Sequence, residues 1–115
     1  MSNVTNVIVA TYAEEEDIGA VLNHLNAFTP KQAPFLYVNP HKVGGNKVLE
    51  ASLFVAAFNY LDDGALIKHL QALPSIVPDL DPDTLQLMYL TEHEELWKVV
   101  KVMRLDPDRL LEDLY

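Results

Sequence analysis

The side chains best equipped for chemistry in this chain are four histidines and a run of spaced aspartates. His24, His41, His69 and His93 fall in four different segments. No two share i,i+4 spacing on one helix, and none sits beside the glutamate of a zinc-enzyme pattern. Solvent-facing or hydrogen-bonded histidines are therefore expected, with no metal and no cofactor. Asp79, Asp81 and Asp83 open like a calcium loop, D-x-D-x-D. The pattern then fails, because Thr84 stands where the loop needs glycine and Leu90 where it needs a bidentate glutamate. Gly44-Gly45 lacks the further glycines and the Lys-Ser/Thr of a phosphate cradle. The serines are Ser2, Ser52 and Ser75, none of them in G-x-S-x-G, so a Ser–His–Asp hydrolase is poorly supported. The absence of cysteine excludes disulfides, thiolate metal sites and thiol catalysis together. One pair survives as a catalytic candidate. Asn6 on a first strand and His69 on a second helix could meet in a cleft between sheet and helices, near Phe58 and Tyr60.

Size and charge bound what those residues can serve. At 115 residues the chain is expected to form a single domain, 1–115, around one core. No apolar run approaches the roughly 18–20 residues needed to span a bilayer. The start, Met-Ser-Asn-Val-Thr-Asn, carries no basic region or cleavage site of a secretory signal, so a cytoplasmic location is expected. The formal charge of −9 is uneven: residues 1–50 carry three Lys and five Asp/Glu, and residues 51–115 five Lys/Arg and twelve Asp/Glu. Direct nucleic-acid binding is disfavoured, since it needs a basic surface able to displace counterions. An acidic surface suits solvation or a basic protein partner.

The elements that must position these residues follow from hydrophobic period. Val4 to Tyr12 is β-branched with two rather apolar faces, Val7 and Val9 on one and Ile8, Ala10 and Tyr12 on the other, which predicts a central strand covered on both sides. Glu14 to Asp17 suit a helix N-terminus, and Ile18, Val21, Leu22, Leu25 and Phe28 recur at helical spacing. Phe35 to Asn39, between Pro34 and Pro40, reads as a short edge strand. Gly44-Gly45-Asn46 predicts a hairpin turn into a long strand from Lys47 to Tyr60. Its Leu49, Ala51, Leu53, Val55 and Ala57 are expected under the helices, with Phe54, Phe58 and Tyr60 on the opposite, contact-making face. Asp62 or Asp63 caps a second helix with a stripe of Leu66, Ile67, Leu70 and Leu73, ended by Pro74. Thr84 to Thr91 is a strand. Leu96 to Met103 fits either period, and its valines favour a further strand beside it. Asp106-Pro107 then starts a terminal helix carrying Leu110, Leu111 and Leu114.

The order is α+β: the βαββαβ, ferredoxin-like plan with an antiparallel sheet, an added C-terminal strand and a short terminal helix. In plan this is similar to small dimeric α+β-barrel monooxygenases and haem-degrading enzymes, over about the first ninety residues. Some of those use Asn, Trp and His in the sheet–helix cleft, which the resemblance would carry to Asn6 and His69. The chain departs from them in having no Trp on its third strand, its one tryptophan being Trp97 on the added strand. Separately, Gly44-Gly45-Asn46-Lys47, a strand, Ala57-Phe58-Asn59-Tyr60-Leu61-Asp62 and a leucine-rich helix resemble small uncharacterised bacterial and phage-associated α+β proteins. That resemblance implies continuity of fold over residues 43–91 and no activity.

The function expected is a non-catalytic, acidic protein–protein interaction module. Its contact residues would be Phe54, Phe58, Tyr60 and Trp97, with the carboxylates Asp79, Asp81, Asp83, Glu92, Glu94 and Glu95. The partner would be a second copy, giving a homodimer, or a basic protein blocked as an inhibitor or immunity-type protein would block it. The alternative is a small-molecule enzyme of the monooxygenase kind using the Asn6/His69 cleft.

Overall fold

The computed structural model describes residues 3–109. The described strands are β1 (Val4–Thr11), β2 (Leu36–Tyr37), β3 (Ser52–Asn59), β4 (Gln86–Thr91) and β5 (Lys98–Lys101). The described helices are α1 (Ile18–Asn26), α2 (Asp63–Gln71) and the single turn α3 (Leu73–Ile76). All five strands form one antiparallel sheet in the order β2-β3-β1-β4-β5. The expected added strand is present and pairs with β4 along its outer edge.

Strict alternation of burial along β1 shows that the sheet has one covered face. Thr5, Val7, Val9 and Thr11 are buried, while Val4, Asn6, Ile8 and Ala10 are only partly covered. The register carries that parity to the neighbours: Val9 faces Phe54 and Leu87, and Val7 faces Ala56 and Tyr89. These side chains meet Val21 and Leu25 of α1 and Leu66, Ile67 and Leu70 of α2 in a single core. The expectation of cover on both sides of β1 is thus corrected. Central position comes from its two strand neighbours, and no helix among the described residues covers the second face.

The faces of β3 are the reverse of those expected. Phe54 and Phe58 point into the core, and Leu53, Val55 and Ala57 lie on the other face. Volume decides this parity. Phe58 packs edge-on against Phe28 after α1 and against Phe35 before β2, each at a ring separation of 5.7 Å. Phe54 meets the Tyr37 ring at 5.2 Å. Two aromatic rings remove more apolar surface from water than Leu53, Val55 and Ala57 would. The polar residue that shares their parity, Ser52, is compensated by the Ala13 N–H, which donates to its hydroxyl at 3.2 Å.

The predicted Gly-Gly hairpin is absent too. Residues 38–51 form a long connection outside the sheet, and β3 starts at Ser52 rather than Lys47. Pro40 has no N–H for the ladder, and His41 to Asn46 offer almost nothing to bury, so pairing stops after Val38 donates to the Leu53 carbonyl at 2.9 Å. The short β2 is instead bracketed by a side chain. Asn26 at the end of α1 accepts the Phe35 N–H at 2.7 Å and donates to the Phe35 carbonyl at 3.3 Å.

Asp62 caps α2 as expected, accepting the Ala65 N–H at 3.1 Å. Pro74 does not end the helical path but opens α3, a position where its missing N–H is harmless. After β5 the chain crosses to the helical side. Gln71 of α2 donates to the carbonyls of Val102 and Leu105 at 3.0 and 2.9 Å. Pro107 lies so close to Gly64 that any Cβ there would overlap its carbonyl oxygen. Asp106 to Arg109, where the terminal helix was expected to start, form a turn in which the Arg109 N–H donates to the Asp106 carbonyl at 3.1 Å, and Leu110, Leu111 and Leu114 fall outside the described residues.

Candidate interaction surface

The face of the sheet turned away from the helices carries an apolar row drawn from every strand. Leu36 pairs with Val55, Val55 with Ile8, Ile8 with Met88, and Met88 with Val99. Directly paired residues share a face, so these five stand side by side across the sheet. The two ends of the row are the most open, with Leu36 at 68% and Val99 at 55% exposure. Flanking rows carry Ala57, Asn6 and Leu90 on one side and Leu53, Ala10, Gln86 and Lys101 on the other.

Charge is distributed to match. None of the five strands contains an aspartate or glutamate, although the chain carries seventeen. The described carboxylates lie in helices, turns and loops outside the strands, and Glu92 follows β4 at the rim, where its N–H donates to the Val4 carbonyl at 2.8 Å. An apolar centre with a polar rim is the usual anatomy of a protein interface.

Trp97, one residue before β5, shares the parity of Val99 and is 44% exposed. It forms one wall of an open depression of about 470 Å³ whose floor includes Asn6, Ile8 and Ala57 and whose far wall is Pro34 and Leu36. The Asn6 side chain is tied down within this floor, donating from Nδ2 to the Leu90 carbonyl at 3.2 Å.

His69 is on the other side of the sheet, so the cleft expected between Asn6 and His69 is not formed. His69 instead pairs with His24 between α2 and α1. Each ring donates from Nε2 to the other residue's carbonyl, His24 to His69 at 2.7 Å and His69 reciprocally to His24. The rings stack with centroids 4.0 Å apart and nearly parallel, and Phe28 closes on His69 at 5.4 Å. Burial pushes the His69 pKa below its ordinary 6.5. The bond to the His24 carbonyl opposes that shift, and the neighbouring His24 ring adds to it. With both Nε2 atoms committed to carbonyls, the pair fastens α1 to α2.

The remaining candidates are scattered. Phe54 and Phe58 are core residues, at 0% and 7% exposure, and are withdrawn as contact residues. Tyr60 is exposed just past β3 with a left-handed φ of 56°, away from the apolar row. Asp79, Asp81 and Asp83 are exposed in the loop before β4. There Asp81 accepts the Asp83 N–H at 3.0 Å, so its carboxylate shapes the turn. Glu92, Glu94 and Glu95 surround the turn between β4 and β5, with Glu92 half-buried and 3.9 Å from His93. A second hollow, about 570 Å³, lies between the start of α1 and the 38–51 connection and is lined in part by Glu15, Tyr37, His41, Glu50 and Ser52. Ser52 is buried there with its oxygen accepting from Ala13, which makes it a joint between β1 and β3 rather than a presented nucleophile.

Of the expected contact residues Trp97 lies on this face, while Leu36, Ile8, Met88 and Val99 were not singled out by the sequence. Ile8 was visible in it as part of the second apolar face of β1. No protein-family model, no curated protein and no solved structure matches the chain. No helix among the described residues is long and apolar enough to cross a membrane.

Proposed function

We propose that this protein is a non-catalytic protein–protein interaction module that docks through the open face of its sheet. The observation that carries the reading is the row Leu36–Val55–Ile8–Met88–Val99, an apolar band across strands free of carboxylates in a chain of charge −9. Contiguous apolar surface of this kind marks interaction sites in soluble proteins, because leaving it in water is unfavourable. The enzyme alternative loses its support with the separation of Asn6 from His69. We further infer that β1 to β4 with α1 and α2 follow the ferredoxin-like plan, with β5 added outside β4. The support is the order β2-β3-β1-β4, with helical connections on either side of the β2–β3 pair.

A photo-crosslinking residue at position 99 tests the docking face in cells making the protein. It should give discrete protein adducts, and the same residue at exposed Ser75 on the helical side should not. Equal yields at both positions, or none at either, refute the reading. Asp79, Asp81, Asp83, Glu94 and Glu95 remain exposed and favour a second, weaker reading, an inhibitor or immunity-type contact with a basic protein. That contact would weaken as salt is added, because screening removes its attraction.

A further inference from the structure

Resting on the docking-face reading, we propose that the occupant of this face is a second copy of the chain, packed sheet to sheet about a two-fold axis that lies along the row Leu36–Val55–Ile8–Met88–Val99. Three observations select that occupant. First, the face carries no carboxylate within its strands and one cation, Lys101, at a corner, so the centre of the face offers a basic partner nothing to pair with. Second, the described end of the chain is engaged elsewhere. Val102 to Pro107 runs along α2 on the far side of the sheet, held by Gln71 and seated against Gly64. Third, the size permits a weak association. The 28 residues of the five strands, at about 4.8 Å spacing and 3.3 Å rise, make a face of roughly 450 Å², and Trp97 and Pro34 beside them extend it to about 500 Å². Two such faces bury about 1,000 Å², near the lower bound for a specific association.

The axis follows from what the flanking rows carry. A two-fold axis along the apolar row sets each of its residues against its own counterpart and exchanges the two flanking rows. The row with Ala57, Asn6, Leu90 and Trp97 then covers the mate's row with Leu53, Ala10, Gln86 and Lys101. Trp97 of one copy meets Lys101 of the other, an aromatic face against a cation, and does so twice. The depression walled by Trp97 and Leu36 receives the mate's Ala10 and Leu53, so the walls of each copy are buried reciprocally. An axis parallel to the strands would set Lys101 against Lys101 of the mate or leave both unpaired.

Sedimentation equilibrium of the wild-type chain should give a dimer of twice 12.9 kDa that strengthens with added salt, since screening relieves repulsion between two bodies of charge −9. Emission from Trp97, the only tryptophan, should shift to the red on dilution. Val99→Lys lowers the net negative charge yet should weaken the dimer by about a hundredfold, because two lysines are brought together on the axis. The exposure of Val99 keeps the monomer fold intact. Mixing Val99→Lys with Val99→Glu should restore association above either variant alone, and Leu36→Lys with Leu36→Glu should do the same at the other end of the row. A monomeric wild type overturns the second copy. If position 99 still crosslinks a different protein, the docking reading survives that failure; if it crosslinks nothing, both fall. A dimer in which the mixed variants associate no better than either alone overturns the two-fold axis along the row.

Discussion

The two faces of this sheet are built from the same strands and similar residues, yet one is a core and the other a surface. On the helical face the strands contribute large, shape-specific side chains: Phe54, Phe58, Tyr89 and Leu87. On the open face they contribute smaller or more flexible ones, Val55, Ala57, Ile8 and Met88, which no described helix covers. Every hydrogen-bonded fastener found between elements on the covered side has a named partner, from the Asn26 bracket on Phe35 to the His24–His69 pair. On the open side the Asn6 amide donates to the Leu90 carbonyl, a bond between adjacent strands. Burial on the helical side is thus reinforced by polar ties between elements distant in the chain.

The largest test of that contrast is truncation on each face. Phe58→Ala should lower unfolding free energy by about 3–5 kcal/mol, the usual cost of deleting a buried ring. Leu36→Ala should change it by less than about 0.5 kcal/mol, as expected for an exposed side chain. Urea denaturation at low protein concentration checks both, since dilution keeps association from adding to apparent stability. Similar losses at the two positions would erase the distinction between the faces.

A smaller effect is expected at the bracket. Asn26→Leu leaves the Phe35 N–H and carbonyl without their partner and should cost about 2 kcal/mol. Hydrogen exchange should localise the loss, with the Phe35 amide and the β2–β3 pairing exchanging first. Uniform loss of protection across the sheet would mean that Asn26 supports the fold generally rather than anchoring its edge strand.

The smallest effect is a pH dependence confined to the helical side. The folded chain holds the His69 pKa below 6.5, so between that lowered value and 6.5 the unfolded chain binds more protons. Stability from this group is therefore complete above pH 6.5 and declines as pH falls through the folded pKa. His69→Gln keeps a donor for the His24 carbonyl but cannot titrate, so its stability should fall less than the wild type's below pH 6.5. Parallel curves for the two proteins would show that His69 does not carry the dependence. Dimer affinity, which belongs to the other face, should be unaffected by this substitution.

Much of this architecture was legible in local pattern. The β-branched run in Val4 to Tyr12, the helical stripes from Ile18 to Phe28 and from Leu66 to Leu73, and the cap at Asp62 are short-range signals that the structure repeats. The strand expected over Leu96 to Met103 from its β-branched residues forms at Lys98–Lys101, before the helical turn Val102–Arg104. Contacts between distant residues were not legible. His24 and His69 are 45 positions apart, and nothing in their local sequence marks them as partners. The Gly44-Gly45 turn misled because its local chemistry suits a hairpin, while Pro40 and the polar residues around it leave no ladder for a hairpin to close.

The sequence alone determined the order of the elements, the central and edge roles of their strands, and the existence of two apolar faces, because period and proline act within a few residues. Only tertiary structure decided which face became the core. Alternation is symmetric between the two sides of a strand, and that symmetry is broken by volume supplied from elsewhere. Phe28 and Phe35, remote in the chain, close on Phe58 and draw its face inward. Leu36, Val55, Ile8, Met88 and Val99 are left outward by the same act, and the surface proposed here for docking is what that packing leaves uncovered.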